Sequence, residues 1–502
     1  MVLIQIDSLS RHFLTTYGNS WVNTPNLTAF ASRAAVFDHH YVGSLPCMPA
    51  RREIWAGTEE FWWRGWGPLE PWDRPLPYLA AQACAVTQLV TDHYHLFEWG
   101  SHNYNYDFDG YDFIRGHEHD NFRTEPLAAI PDWARVMVEH RGEEALIYLR
   151  NTAGFQGEAD FFGPRVMASA ADWLEHNHAS KRFFLHVDCF DVHEPFHVPE
   201  PYRSMYTDAD PTRYDPWPRY GRSDEGHLAL SPEELAWVRA QFAGKLTMVD
   251  AWFGKVLEAL ERRHLLERTC VIVTTDHGHY LGEHGRIGKP ASPMWHTLCH
   301  IPLLVWHPDG PHNGSRVGAI TQTVDLYATV LDLLGAPPAG SGTVHSRSFA
   351  PVLRGEAAGH RDHAVYGYSG QRVGLTTPEW TLLRDHDPAL APAYWYTHQV
   401  EHLDTRSFPA RRRRAFEFPD LEAGRFLPGV STPVWRMPAG SGELTHLGPP
   451  RPDLLYHNPT DPGQERDLTA TRPAVVRELE RLLGDHARGL GAPIEQLARL
   501  RL

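Results

Sequence analysis

Short, continuous apolar runs recur along the first two thirds of the chain, separated by stretches with helical spacing. Val2-Leu3-Ile4-Gln5-Ile6 ends in Asp7, and Cys270–Thr275 delivers Asp276-His277-Gly278. Ala85–Thr91, Phe183–Asp188 and Ile301–Trp306 are further runs of the same kind. Runs this short read as strands buried on both faces, the pattern of parallel sheets. Between them, Asn26–Val36 reads as a helix feeding a strand, and Pro77–Ala83 as a helix. Phe161–His176 places Val166, Ala170, Trp173 and Leu174 on one stripe. Pro232–Leu260 reads as a long helix broken near Gly244 and Gly254, and Leu326–Leu334 as a helix closed by Gly335. This rhythm predicts an α/β fold over residues 1–365, a mostly parallel mixed sheet flanked by helices. Open α/β sheets bind ligands beyond the carboxyl ends of their strands, where Asp7, Asp276 and His277 fall.

After residue 365 the rhythm changes. Val365–Tyr368, Arg372–Leu375, Trp380–Leu383 and Asp453–Tyr456 read as short antiparallel strands. Asn458–Gly463 is a turn cluster, and Ala474–Ala487 a final helix. Residues 366–502 are therefore expected to form a smaller subdomain, an antiparallel sheet plus helix, with 384–450 irregular. The 502 residues carry a net charge of −15, which argues against a nucleic-acid partner. The five cysteines are odd in number and show no zinc spacing, so a disulfide framework is not expected, and Cys189 and Cys270 read as small buried hydrophobes. No run of about 18 apolar residues suggests a membrane span. The first strand begins at Val2 without a leader pattern, so the expected location is cytoplasmic.

Residues 44–57 contain Cys47-x-Pro49-x-Arg51. Flanked by the two strands that end in Asp7 and in Asp276-His277, this segment resembles that of the formylglycine-dependent sulfatases and the related phosphonate monoester hydrolases of the alkaline phosphatase superfamily. The resemblance implies their fold, which also ends in a small sheet with a terminal helix. It further implies oxidation of Cys47 to formylglycine by a formylglycine-generating enzyme, and one divalent metal held by Asp7, residue 47, Asp276 and His277. Two strand-end carboxylates, an imidazole and a modified cysteine are a sensible donor set for such an ion. Two departures stand out: Ser8 follows Asp7 where many sulfatases carry a second aspartate, and His277 stands where many carry asparagine. One carboxylate fewer and one imidazole more leaves the metal open between calcium and manganese.

The implied activity is hydrolysis of sulfate monoesters, aryl sulfates first, with a formylglycine diol as nucleophile and a covalent sulfo-enzyme as intermediate. The alternative is a phosphonate monoester or phosphate diester hydrolase using the same site, and a third reading is a non-catalytic protein binding sulfated ligands. Arg51 would hold the diol or a non-bridging oxygen through its fixed fork. By resemblance, Lys289 holds the sulfate, His193 contacts it or protonates the leaving group, and the strand-end cluster containing Thr91 and His93 faces the substrate. Phe61, Trp62, Trp63, Trp66 and Trp72, with Arg64, would either wall the leaving-group pocket or pack in the interior. Arg52 is expected to face solvent or a helix partner. His117, His119, His279 and His284 read as structural or surface groups, Asp250 and Asp325 as helix residues, and Arg411–Arg414 as a solvated or subunit-contact face. The partners expected are a small sulfate ester and, from the habits of the family, further copies of the chain in a homo-oligomer.

Overall fold

The computed structural model describes residues 1–84, 86–98, 103–222, 229–290, 293–336, 343–399, 421–439 and 451–502. Its main sheet has eight strands in the order Arg316–Gln322, Ala35–Tyr41, Leu303–Trp306, Val271–Thr274, Val2–Ile6, Phe183–Cys189, Val86–Thr91, Gly110–Phe113. Every neighbouring pair is parallel except the two made by Leu303–Trp306. Alternate residues of the first strand feed opposite cores, as a period of two requires. Val2, Ile4 and Ile6 join Val166, Leu174 and Val249 on one face, while Leu3 joins Trp55, Leu326 and Val330 on the other. Both faces are covered, so no residue of this strand is exposed, and each large aliphatic side chain contributes about 1.5–3 kcal/mol by burial.

The helix Pro232–Arg262 starts with a capping box. Ser231 Oγ accepts from the Glu234 N–H at 3.1 Å, and the Ser231 N–H donates to Glu234 Oε2 at 2.7 Å. It runs without interruption through Gly244 and Gly254, contrary to the expected break. Those glycines serve close packing instead: a Cβ at 244 would lie 2.4 Å from the Tyr202 carbonyl oxygen, and one at 254 would lie 2.8 Å from Asn26 Oδ1. From this helix Asp250 caps another, accepting from the N–H groups of Asn26 and Leu27 at the start of Pro25–Arg33.

The C-terminal sheet has five strands, ordered Leu454–His457, Trp380–Arg384, Val373–Thr376, Ala364–Tyr368, Ser44–Leu45. The fifth lies parallel to Ala364–Tyr368 and comes from the segment just before Cys47. Within 384–450, expected to be irregular, Tyr394–Thr397, Val434–Pro438 and Glu422–Gly424 pair into a small antiparallel sheet. Arg411–Arg414 lie outside the described residues. The helix Pro473–Leu490 is followed by a second, Ile494–Arg499. No helix among the described residues is long and apolar enough to cross a membrane.

Candidate active site

Four adjacent strands of the main sheet end side by side, and their carboxyl ends carry Asp276-His277, Asp7, Asp188 and His93. The helix Cys47–Ala56 points its first residue into this group, and Arg51 follows on the same face one turn later. Arg51 is fully buried. Its Nε and Nη2 donate to Asp188 at 3.0 and 2.7 Å, its Nη1 to Asp276 Oδ2 at 2.7 Å, and its Nη2 lies 3.0 Å from Asp7 Oδ2. Burial alone would disfavour the guanidinium, but the charges of Asp188, Asp276 and Asp7 overcome it and raise its pKa well above the ordinary value. Deleting one partner of such a buried cluster typically costs about 3–5 kcal/mol.

Asp7, Cys47, Asp276 and His277 place one donor atom each within 4.8 Å of one another, all four residues buried. Cys47 Sγ is 3.2 Å from His277 Nε2, and His277 Nδ1 is 2.8 Å from the Gly278 carbonyl oxygen. The carbonyl fixes the proton on Nδ1 and leaves the Nε2 lone pair facing the cluster, the tautomer a metal ligand needs. Burial pushes His277 down to about 3, so the ring is neutral. Asp7 Oδ2 accepts no hydrogen bond among the described residues, and burial, then the neighbouring Asp276, pushes the Asp7 carboxyl well above the carboxylate range. Two crowded carboxylates with a correctly turned neutral imidazole fit one divalent cation. Ser8 ties the pieces together at φ 60°: its N–H donates to Asp276 Oδ1 at 3.1 Å and its Oγ to Asp7 Oδ1 at 2.8 Å.

Lys289 reaches the cluster, its Nζ 3.3 Å from Ser8 Oγ and 3.9 Å from Asp7 Oδ1. Burial opposes its charge, but Cys47, Asp7 and Glu194 more than restore it, so its pKa is raised. His93 Nε2 lies 3.6 Å from Asp7 Oδ2, its ring is 4.0 Å from that of Phe190, and burial, then Arg51, keeps it neutral. Thr91 acts on His93 from within the strand end, its Oγ1 accepting from the His93 N–H at 2.9 Å. His193 sits on the loop after Phe183–Cys189, with Nδ1 2.9 Å from the Glu194 carbonyl oxygen.

Arg64 stands elsewhere. It pairs with Glu60 and Glu70 and donates to the Pro68 carbonyl, and with Trp63 and Trp72 it lines a separate cavity toward Tyr396 and Leu490. Its expected contact with substrate is thus replaced by a buried ionic network. Arg52, expected to face solvent or a helix partner, is buried in the same network, 2.9 Å from Glu60 and 2.8 Å from Asp73. Phe61, Trp62 and Trp63 pack against Val365, Val373 and Leu375 of the C-terminal sheet, the interior alternative. Trp66 alone comes near the site, edge-on to His95 at 4.8 Å.

Three residues here were not singled out in the sequence. Asp188 ends a run already read as a strand, so the strand-end rule that picked Asp7 could have found it. Lys245, in mid-helix, is buried and donates from Nζ to the carbonyls of His193 and Pro195 at 2.6 and 2.9 Å, and pairs with Asp191 at 2.5 Å. Glu118 lies beside His193 with no local signal beyond two neighbouring histidines.

A carboxylate-lined centre at the strand ends of such a sheet, with a candidate cation-binding donor set and a cysteine at a helix start, is the layout of a hydrolase built on an α/β sheet. The Sulfatase family model matches residues 1–336, and the chain belongs to that family of sulfuric ester hydrolases. It is 23% identical to arylsulfatase K of Danio rerio over 468 residues, spanning 84% of this chain and 81% of that one. It also superposes on the phosphonate monoester hydrolase of Agrobacterium radiobacter with a TM-score of 0.65 and 19% identity, covering 97% and 95% of the two chains. A second similar structure holds its substrate D-glucosamine-2-N,6-O-disulfate, with a TM-score of 0.63 and 16% identity over 99% of both chains.

Proposed function

We propose that the protein hydrolyses sulfate monoesters, aryl sulfates among them, with a formylglycine made from Cys47 as nucleophile. The observation that carries this reading is the position of Cys47: first residue of a helix, within reach of Asp7, Asp276 and His277, and one turn ahead of a triply paired arginine. Burial, then Asp7, pushes the Cys47 thiol well up, so this pocket does not favour a thiolate nucleophile. Formylglycine, once made by a generating enzyme, would supply at position 47 a geminal diol as the oxygen nucleophile. A divalent cation would be held by Asp7, residue 47, Asp276 and His277, and would supply Lewis acidity beside the nucleophile.

The chain's own residues do the rest. Arg51, fixed by three carboxylates, orients the group at position 47. Lys289 stays charged and neutralises the ester's non-bridging oxygens. His193 hands a proton to the leaving oxygen, and His93 borders the same space. Phosphonate monoesters form the second reading, favoured by His277 in the donor set, because the two ester classes present similar charge to one pocket. A homo-oligomer remains part of the proposal, to be read from the mass in solution.

The test is peptide mass spectrometry of the tryptic fragment 34–51 from the native host, paired with kcat/KM on a sulfate monoester, a phosphonate monoester and a phosphate diester. Aldehyde or hydrate at position 47 with sulfate ester turnover supports the reading. An active protein whose residue 47 is entirely thiol refutes it.

A further inference from the structure

His193 would have to lose and regain a proton in each turnover, yet it is only 4% exposed. The acceptors near it gather on its Nδ1 side. The Glu194 carbonyl oxygen is 2.9 Å from Nδ1, Glu118 Oε1 is 3.5 Å away and Glu194 Oε2 is 3.5 Å away. This side therefore carries the N–H, and Nε2 is the nitrogen left for substrate.

Glu118 is held for this position with unusual care. It is a buried non-glycine residue at φ 47°, in the left-handed region that side chains rarely adopt, and such backbone persists only where its surroundings enforce it. Tyr94 Oη donates to Glu118 Oε2 at 3.1 Å, and His95 Nε2 lies 3.7 Å from the same oxygen. The loop around Glu118 is pinned by Asn151 Nδ2, which donates to the carbonyls of Gly116 and Asp120 at 3.1 and 2.7 Å. Asp191 then locks this loop to the one bearing His193. It accepts from His117 Nε2 at 2.8 Å and from Lys245 Nζ at 2.5 Å, and the same ammonium donates to the His193 carbonyl.

We propose that Glu118 is a positioning residue for the leaving-group acid: with the Nδ1–H given to the Glu194 carbonyl, its carboxylate 3.5 Å from Nδ1 supplies the charge that keeps Nε2 turned to the leaving oxygen and stabilises the imidazolium that donates there. This rests on the assignment of His193 as the acid. In the step itself, the Nε2–H bond breaks as an O–H bond forms on the departing alcohol. The electron pair of the broken S–O bond stays on that oxygen. Neutral His193 keeps its Nδ1–H on the Glu194 carbonyl beside Glu118, and solvent reprotonates Nε2 after the alcohol leaves. The charged and titratable groups facing His193 are Glu118, Glu194 and Lys289, with His117 behind the ring and Lys245 on its carbonyl. Burial, then Lys289, pushes the His193 pKa well below the ordinary value, and Glu118 works against both, so the carboxylate matters most when the proton moves. Donor atoms of Glu118, His193 and Glu194 also come within 4.8 Å of one another, but Nδ1 already faces a carbonyl and Lys289 supplies positive charge beside it, which disfavours a second cation.

The test compares wild type, Glu118→Gln and Glu118→Asp on p-nitrophenyl sulfate, whose leaving group needs no proton, and on phenyl sulfate, whose leaving group does. For Glu118→Gln, kcat on phenyl sulfate falls by about 100-fold or more, and on p-nitrophenyl sulfate by roughly 5-fold or less. The basic limb of its kcat profile on phenyl sulfate moves to lower pH by about one unit or more, since a neutral neighbour no longer favours the imidazolium. Glu118→Asp keeps the charge and keeps the limb near its wild-type position. Equal losses on both esters, or an unmoved limb, overturn the proposal. So does a second bound cation per wild-type chain that is lost in Glu118→Gln, which would make Glu118 a ligand. A wild type that hydrolyses none of the sulfate, phosphonate or diester substrates refutes the hydrolase reading itself and this role with it.

Discussion

His186 lies in the middle of the strand Phe183–Cys189, fully buried, its ring 5.4 Å from that of Trp55. Neither of its nitrogens has a hydrogen-bond partner among the described residues. Burial, then the charge of Arg51, pushes its pKa down to about 3. The unfolded chain would titrate this group near pH 6.5, so between that pH and the folded value only the unfolded state takes up the proton. The stability tied to neutral His186 is therefore complete above about pH 6.5 and drains away as pH falls toward 3. From pH 8 to pH 5 the loss is about 2 kcal/mol from this one side chain. His40 and His296 are buried and pushed down to about 3 by the same cause, so the three together withdraw roughly 6 kcal/mol, comparable to the whole stability of many domains. Replacing His186 by Leu removes one of these contributions. The change in packing, on the order of 1–3 kcal/mol in either direction, is the same at both pH values and cancels from the comparison. Urea unfolding at pH 8 and pH 5, followed by tryptophan fluorescence and by circular dichroism to check that the transitions coincide, measures the difference. The variant should lose about 2 kcal/mol less than wild type over this span. Equal losses would mean that His186 is protonated or solvated in the folded protein, and the argument from burial would fail.

Asp325 accepts from Arg361 Nε and Nη2 at 2.6 Å each, fully buried, so Asp325→Asn should lower stability by about 3–5 kcal/mol, read as a drop in thermal midpoint. Arg361 holds that carboxyl below the carboxylate range against the effect of burial, so its stabilising effect persists through neutral pH and is lost only in strong acid. Stripping divalent cations with a chelator should lower the melting temperature, and adding back a cation at about 1,000 times its dissociation constant should restore about 4 kcal/mol. A melting curve indifferent to chelator would remove the cation from the account of Asp7, Asp276 and His277.

The parts of the site legible in the sequence were those where one local rule decides. An apolar run that ends in a carboxylate fixes both a buried strand and the place of its last residue, which is why Asp7 and Asp276-His277 could be placed. The cysteine segment forms a helix through Ala56 that sets residue 47 beside those strand ends. What failed depended on partners distant in sequence. Gly244 and Gly254 suggested breaks because a glycine's need for space is visible only when Tyr202 and Asn26 arrive from elsewhere. Lys245 in mid-helix has the composition of a solvated face, and only the fold brings Asp191 and two carbonyls to its ammonium. Arg64 stood among aromatics close to the nucleophile segment, but sequence proximity says nothing of direction, and Glu60 and Glu70 claim it. The strands in 394–438 are only three to five residues long, too short for periodicity to speak.

The strand Ser44–Leu45 completes a sheet whose adjoining strand, Ala364–Tyr368, is synthesised about 320 residues later, and the Gly367 N–H donates to the Gly43 carbonyl at 2.9 Å across that join. A ribosome adding about 5–20 residues per second needs roughly 16 to 64 seconds to cover this interval. Throughout it the chain around Cys47 has emerged without the main-chain partner that later closes over it. The modifying enzyme proposed above would thus meet an open segment early in the life of each molecule, whereas in the finished fold Cys47 is 2% exposed. If residue 47 is modified as proposed, the late C-terminal sheet would act as a clock: slower translation would lengthen the interval in which it can be changed, and faster translation would shorten it.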